Sequence, residues 1–222
     1  MNDRSRVAGL LLAAGASRRL GEPKQLLRTV DGEPLVCVMV QRLLDAGCSH
    51  VFVVLGANVE QVQLALAPVM DTEAMRGIVQ CIEHAGWAEG MGTSIAAGVA
   101  ALEAAPEAAL ETADIKHALQ GALIAACDMP SVTSAHLRAL IEASASTSFM
   151  RPSASVYGAP NGEQIVGIPA VFPSSDFAAL RNLSGDRGAR ALLRETDIPL
   201  IALAGGDLDL DTPDDVRRWR TS

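Results

Sequence analysis

The sequence predicts a single three-layer α/β/α domain over residues 1–222, built on a mostly parallel sheet with a small antiparallel hairpin. Three observations carry that prediction. Strand-like apolar runs alternate with helix-like segments through most of the chain, the rhythm of a parallel sheet covered by helices on both faces. Two of the runs, "VAGLLLA" and "GALIAAC", are apolar or small at every position, as strands buried on both faces are. Later the rhythm changes: "SFMRPSASVYG" and "EQIVGIPAVF" flank Asn161-Gly162, a hairpin-type turn, so the pairing there is antiparallel.

The elements follow in order. After "VAGLLLA", the segment "EPLVCVMVQRLLDAG" has Pro34 at a helix start, a broad apolar face and Gly47 as a stop. "HVFVVLG" is the next strand, and Asn58 caps the helix "VEQVQLALA". "RGIVQCI" is a strand, followed by the glycine-bearing loop "EHAGWAEGMG" and a helix "SIAAGVAALEAA" capped by Thr93 or Ser94. The strand "GALIAAC" ends at Asp128-Met129-Pro130, and Ser134 caps "AHLRALIEA". The Ala-rich, polar "EAAPEAALETADIKHALQ" reads as a helical extension or surface insertion with no evident chemistry. "SSDFAALRNL" and "DRGARALLRE" read as helices and "IPLIAL" as a strand. Thr212-Pro213-Asp214-Asp215 opens a last helix, with a cap, a first-turn proline and a carboxylate at the positive end.

Composition narrows the function classes. A net charge of −8 argues against a polyanion as partner, and aromatic residues at 3% leave few platforms for stacking bases, so no nucleic acid is expected. Cys37, Cys48, Cys81 and Cys127 show no C-x-x-C spacing and read as reduced core thiols. Asp3 and the early cations spoil a signal peptide, and no apolar stretch spans a bilayer, so a cytoplasmic protein without membrane contact is expected. The histidines, His50, His84, His117 and His136, share no metal-ligand spacing, and Ser17 lacks the G-x-S-x-G frame of a hydrolase nucleophile.

The chemistry concentrates where the strands end. "LLLAAGASRRLGEPKQLL" breaks from an apolar strand into Ala13-Ala14-Gly15 and then presents Arg18, Arg19 and Lys24. The spacing Gly15-x5-Gly21-x2-Lys24 is neither the dinucleotide fingerprint nor the P-loop. It still offers backbone N–H groups to a phosphate, with Arg19 and Lys24 supplying charge, and Lys24 is one of only two lysines in the chain. An ordinary solvated loop is the alternative. Asp128, at the carboxyl end of its strand, suits Mg²⁺ held against phosphates, though taken by itself a turn residue or helix cap is the simpler reading. "LDLDTPDD" puts Asp209 and Asp211 on one side of an extended segment, which suits a second metal contact or part of a capping run.

Taken together these segments resemble the MobA-like nucleotidyltransferases, most closely the molybdenum cofactor cytidylyltransferase branch. "LAAGASRRLGEPKQLL" resembles the signature L-A-A-G-x-S-x-R-[ML]-G-x-x-K, "WAEGMGTSIAAG" the loop that holds the base, "CDMP" the metal-binding aspartate motif, and "LDLDTPDD" the C-terminal acidic motif. "GIPAVF" with "LSGDRGARALL" resembles the acceptor-side segment. The resemblance implies a Rossmann-like nucleotidyltransferase fold and transfer of CMP from CTP to a phosphorylated, pterin-like acceptor, with release of pyrophosphate and Mg²⁺ as cofactor. It implies Arg19, Lys24 and Asp128 as catalytic residues, and a nucleotide site of Leu12, Ala13, Ala14, Gly15, Ser17, Arg19, Lys24, Gly90, Met91 and Ser94. Asp128, Asp211 and Asp209 would hold the metal, and Gly167, Ile168, Pro169, Asp186 and Arg190 the acceptor. A molybdoenzyme or its maturation factor is the implied protein partner. Members with L-A-A-G resemble CTP users and those with L-A-G-G GTP users; the Ala14 methyl narrows the space for a purine. The chain departs from the branch at Ile168, where G-H-P is frequent, and at His84, where many relatives carry Asn. Other phosphorylated acceptors, GTP as donor, and a non-catalytic nucleotide-binding escort are the alternatives that remain open.

Overall fold

The structure is a computed structural model that describes residues 6–104, 119–145, 150–158, 162–186, 188–193 and 197–221. The Ala-rich segment from 105 to 118, with Lys116 and His117, lies outside the described residues, as does Asn161 of the hairpin turn.

Seven strands form one sheet in the order β3-β2-β1-β4-β6-β5-β7. β1 (Val7–Ala13), β2 (Val51–Leu55), β3 (Val79–Glu83) and β4 (Gly121–Ala126) are mutually parallel where they pair. β6 (Gln164–Pro173) runs antiparallel to β4 and to β5 (Ser153–Gly158), and the short β7 (Leu200–Ala202) pairs parallel with β5. The expected antiparallel pair is therefore present, inserted next to the parallel half.

The strand alternation divides the core into two layers. Leu11, Val53 and Leu123 face one apolar cluster with Met39, Leu43, Leu66 and Leu137. These come from α1 (Leu35–Asp45), α2 (Val59–Met70) and α4 (Ser134–Ser144). Leu10, Val54 and Ile124 face the other cluster with Ile95, Val99 and Phe177, from α3 (Met91–Ala104) and α5 (Phe177–Arg181). Residues of adjacent number on one strand thus serve opposite layers, the period of two that buries both faces. Gly98 lets α3 lie close to the sheet: a Cβ there would come within 2.3 Å of Leu10.

Helix ends follow side-chain chemistry with local corrections. α1 ends as read, with Gly47 at φ +106°, where the N–H of Cys48 reaches the Leu43 carbonyl and that of Gly47 the Leu44 carbonyl. Asn58 precedes α2 but makes no side-chain cap bond. α4 is capped by Thr133, which accepts from the His136 N–H, so Ser134 is the first helical residue. α3 starts at Met91, which places Thr93 and Ser94 inside its first turn; Thr93 instead donates back to the Gly90 carbonyl at 2.8 Å. Among the described residues of "DRGARALLRE" there is a 3-10 turn over Ala189–Leu193, and "SSDFAALRNL" gives a 3-10 turn and the short α5. α6 (Pro213–Thr221) opens with a reciprocal cap: the Thr212 N–H donates to Asp215 at 2.8 Å and the Asp215 N–H to the Thr212 hydroxyl at 3.3 Å. Among the described residues no helix is long and apolar enough to cross a membrane.

Candidate active site

The carboxyl ends of β1 and β4 meet beneath a cavity of about 310 Å³. Their mutual register is carried past the strand ends by the Cys127 N–H, which donates to the Leu12 carbonyl at 3.0 Å. Leu12, Ala13, Ala14 and Gly15 supply one part of the lining, and Gly90, Met91 and Ser94 another. Asp128 and Lys24 also line the cavity, so nine of the residues named for the nucleotide and its metal share one space.

The loop after β1 is held open by its own polar groups. Ser17 adopts a left-handed conformation, φ 52°, and its carbonyl accepts from the N–H groups of Leu20 and Gly21. Its hydroxyl accepts from the Lys24 N–H at 3.0 Å, so Ser17 shapes the loop from within and is not part of the lining. Gln25, fully buried, donates from one amide nitrogen to the carbonyls of Ala13 and Gly15, each at 2.8 Å. Nothing in the sequence motif singles out Gln25; only its burial next to the loop reveals it. Arg18, rather than Arg19, lines the cavity, and Trp87, Ala88, Ala126 and Cys127 join it there.

Three acids converge at one end. Lys24 Nζ donates to Asp128 at 2.5 Å and to Asp211 at 2.9 Å, while Arg19 donates to Asp211 at 2.5 Å. Burial alone would lower the Lys24 ammonium, but the charges and hydrogen bonds of Asp128 and Asp211 outweigh it and hold it above the usual lysine value. Asp209 is pushed up to about 6, by burial first and then by the charges of Asp128 and Asp211. The approach has a backbone cause: the Leu210 N–H donates to the Asp128 carbonyl at 3.0 Å, with the Leu210 side chain fully buried. Asp209 and Asp211 do not lie on an extended segment. The Asp211 N–H donates to the Asp209 carbonyl at 3.0 Å, a three-residue turn around that buried leucine.

The expected metal trio is likewise not closed: among the described residues no group of three His, Cys, Asp or Glu side chains is arranged to hold an ion. Lys24 sits between Asp128 and Asp211 instead. Their chemistry still fits a hard divalent ion, since Mg²⁺ takes one or two carboxylates and completes its shell with phosphates and water.

The acceptor-side residues gather on the neighbouring strand and loop. Gly167, Ile168 and Pro169 occupy an irregularity in β6, where Ser155 pairs with Gly167 but Ala154 with Ala170. Ser155 donates to the Pro169 carbonyl at 2.6 Å and contacts His136 Nε2 at 2.8 Å, so two buried polar residues on β5 and α4 fix this backbone. Ile168, partly buried, packs against both apolar clusters. Asp186 lies against Gly90, and Arg190 near Gly167. The loops that carry the two groups touch directly. Gly90 has φ +117°, a Cβ there would meet the Gly185 carbonyl at 2.5 Å, and the Gly92 N–H donates to that carbonyl at 2.8 Å. His84 contacts the Thr93 hydroxyl at 3.0 Å at the base of the same turn.

Comparison with known proteins bears on the family and the fold. The family model described as MobA-like NTP transferase domain matches residues 9–200. Nicotine blue oxidoreductase from Paenarthrobacter nicotinovorans is 31% identical over 192 residues, covering 85% of this chain and 82% of the relative. Purine catabolism protein PucB from Bacillus subtilis is 30% identical over 216 residues, covering 93% and 92%. The crystal structure of Rv0371c from Mycobacterium tuberculosis H37Rv superposes with a TM-score of 0.71 at 27% identity, covering 99% of this chain and all of that one. The same protein has also been solved as a complex with manganese, with a TM-score of 0.65.

Proposed function

The chain belongs to the MobA-like NTP transferase family, and from that premise we propose that it transfers CMP from CTP to the phosphate of a molybdopterin-type acceptor, releasing pyrophosphate. One observation carries the reading. A cation-bridged pair of carboxylates, Asp128 and Asp211 on Lys24, stands at the end of a cavity lined in part by the small residues Ala13, Ala14, Gly15, Gly90 and Ser94. That combination suits a triphosphate, which needs close approach and charge more than it needs a nucleophilic side chain.

In the reaction an oxygen of the acceptor phosphate attacks the α-phosphorus of CTP. The new P–O bond forms as the bond to the bridging oxygen breaks, and pyrophosphate leaves with that electron pair. Ala13, Ala14 and Gly15 let the nucleotide lie against the loop, while Lys24 and Arg19 neutralise charge on the triphosphate and the departing pyrophosphate. Arg18, which lines the cavity, adds a third cation to this group. Asp128 and Asp211 would hold Mg²⁺, which supplies charge neutralisation at the phosphates when bound. The Ala14 methyl favours the smaller pyrimidine. A cytoplasmic setting, with a molybdoenzyme or its maturation factor receiving the product, completes the reading.

The relative named nicotine blue oxidoreductase supports a second reading, reduction or oxidation of a dye-like substrate. A dehydrogenase of the usual kind would carry G-x-G-x-x-G after β1, and the Gly15-x5-Gly21 loop does not. Pyrophosphate release from CTP and from GTP, with Mg²⁺ and molybdopterin as acceptor, separates the readings. Release with CTP alone is expected. No release with either nucleotide, together with nicotinamide-dependent turnover of a dye, would overturn the transfer.

A further inference from the structure

The turn that carries Asp128 is held from behind by a residue outside the nucleotide cavity. Asp128 stands in the connection from β4 to α4, in which Met129, Pro130 and Val132 are buried. Within it the Val132 N–H donates to the Met129 carbonyl at 3.2 Å. The carbonyls of Pro130 and Val132 need donors from elsewhere, because a buried carbonyl left unpaired is costly. Both find the same one. Nη1 of Arg42 donates to Pro130 at 2.8 Å and to Val132 at 2.7 Å. The two N–H groups of that nitrogen are matched to two acceptors, each by a charge-assisted bond.

Arg42 is a fixed post for this purpose. It sits in the last turn of α1, where Met39, Val40 and Leu43 are fully buried and Leu43 packs against Gly9 of β1. Its guanidinium is half-buried and has no carboxylate ion-pair partner among the described residues. Burial lowers it from its ordinary value. Half-burying a cation without a counter-charge costs free energy. The carbonyl bonds that offset this cost fall two and four residues after Asp128. On its other side, Asp128 accepts from Lys24 Nζ at 2.5 Å, and its own carbonyl accepts from the Leu210 N–H. The aspartate is thus fixed by Lys24, by Leu210 and, through its loop, by Arg42.

We propose that Arg42 is the positioning residue for Asp128, acting through the carbonyls of Pro130 and Val132. This rests on the transfer reading and deepens it, by naming what sets the place of the carboxylate. Arg42 reaches Asp128 only through the loop backbone. Phosphoryl-type transfer depends on charges already in place when the reaction begins, and a misplacement of about 1 Å costs on the order of 10²-fold. Without Arg42 the loop loses both outside donors, and the pull of Lys24 on the carboxylate then has no opposing anchor on the α1 side. The consequence is a loop free to shift, with the rest of the nucleotide site unchanged.

The test compares wild type with Arg42→Met, Arg42→Lys and Leu43→Ala. Leu43→Ala takes packing from the same helix and keeps both carbonyl bonds, so it reports a purely structural loss. Two readouts need no turnover: hydrogen exchange over residues 128–132, and the affinity of Mn²⁺ alone, from the free-ion paramagnetic resonance signal. Arg42→Met should speed exchange of the Val132 N–H and weaken Mn²⁺ on the order of tenfold, the scale of losing a group that orients a ligand. With turnover, its kcat should fall on the order of 10–10²-fold at an unchanged KM for CTP. Arg42→Lys keeps a charged donor and should show each loss in smaller measure; it also carries the test where Arg42→Met fails to fold. Wild-type exchange and Mn²⁺ affinity in Arg42→Met would overturn the assignment, as would equal losses in Leu43→Ala. If Arg42→Met loosens the loop and Mn²⁺ while wild type releases no pyrophosphate, the positioning stands and the transfer reading falls. If pyrophosphate is released and Arg42→Met keeps the wild-type kcat, the transfer stands and the positioning falls.

Discussion

The two halves of the sheet bring residues to the site by different means. In the parallel half, β1 and β4 run side by side from Val7 and Gly121, and their ends deliver Ala13 to Gly15 and Asp128 together. In the mixed half, every contributor arrives on irregular backbone: the slipped register at Gly167, the 3-10 turn bearing Arg190, and the three-residue turn of Asp209 to Asp211. Strand register is a collective property of many buried contacts, whereas a turn depends on one or two hydrogen bonds. The groups proposed to act on the triphosphate thus stand mainly on the rigid half, and those proposed to choose the acceptor on the half that single substitutions can re-aim.

The sharpest way to break this comparison is Asp128→Ala. Asp128 stands on the rigid half, so its removal should leave the fold intact while pyrophosphate release falls on the order of 10³-fold, the scale of losing a main electrostatic contributor. Circular dichroism and a turnover assay with Mg²⁺ check both parts. A wild-type rate would remove Asp128 from the chemistry.

Next in size is Lys24→Met, which acts on the seam between the halves. Lys24 is shared by Asp128 on one half and Asp211 on the other, and its side chain is only 14% exposed. Breaking a buried pair costs about 3–5 kcal/mol. Asp211 is 37% exposed, and water there screens the orphaned charges, so about 2–3 kcal/mol is expected. A urea melt measures it; a loss below about 1 kcal/mol, the worth of a surface pair, would mean that the ammonium does not join the halves.

How far the sequence reveals this site follows the same division. The apolar runs that become β1, β2 and β4 are unmistakable because strands buried on both faces have no polar positions to blur them. The loop residues Ala13 to Gly15, Lys24 and Asp128 are legible because they sit at the ends of such runs. Helix starts are harder: α3 begins three residues before Ser94 because Gly92, which local patterns read as loop, is carried by packing into its first turn. Arg18 and Arg19 are adjacent and chemically equal, so only the fold shows that one lines the cavity and the other pairs with Asp211.

A smaller effect tests specificity on the rigid half. Ala14 is buried in the cavity lining and its carbonyl accepts from the Ala57 N–H at 3.1 Å, so its methyl is fixed in place. Ala14→Gly should shift the CTP-to-GTP ratio of kcat/KM by about tenfold toward GTP, the usual worth of one methyl group in a pocket. An unchanged ratio would show that the base is chosen elsewhere.

The smallest expected effect lies on the mixed half, at the cap that follows Asp211. The Asp215 carboxyl is held down at about 2 by the hydrogen bond from the Thr212 side chain, with the Arg218 guanidinium and backbone N–H groups helping. In the unfolded chain it titrates near its ordinary 3.8, so between those values the unfolded state binds more protons than the folded one. Its stabilising contribution is therefore complete above about pH 4 and is lost as the pH falls toward about 2. Thr212→Ala removes the cap and the largest contributor to this low value, and should cost about 1 kcal/mol at pH 7. The difference from wild type should shrink as the solution is acidified through that window, because protonation abolishes in the wild type what the substitution has already removed. Thermal melts at pH 7 and pH 3 read it directly. A constant difference at both would mean that Thr212 acts through helix propensity alone. A fall in turnover with no change in melting would place the cap's importance in aiming Asp211, one residue upstream, at Lys24.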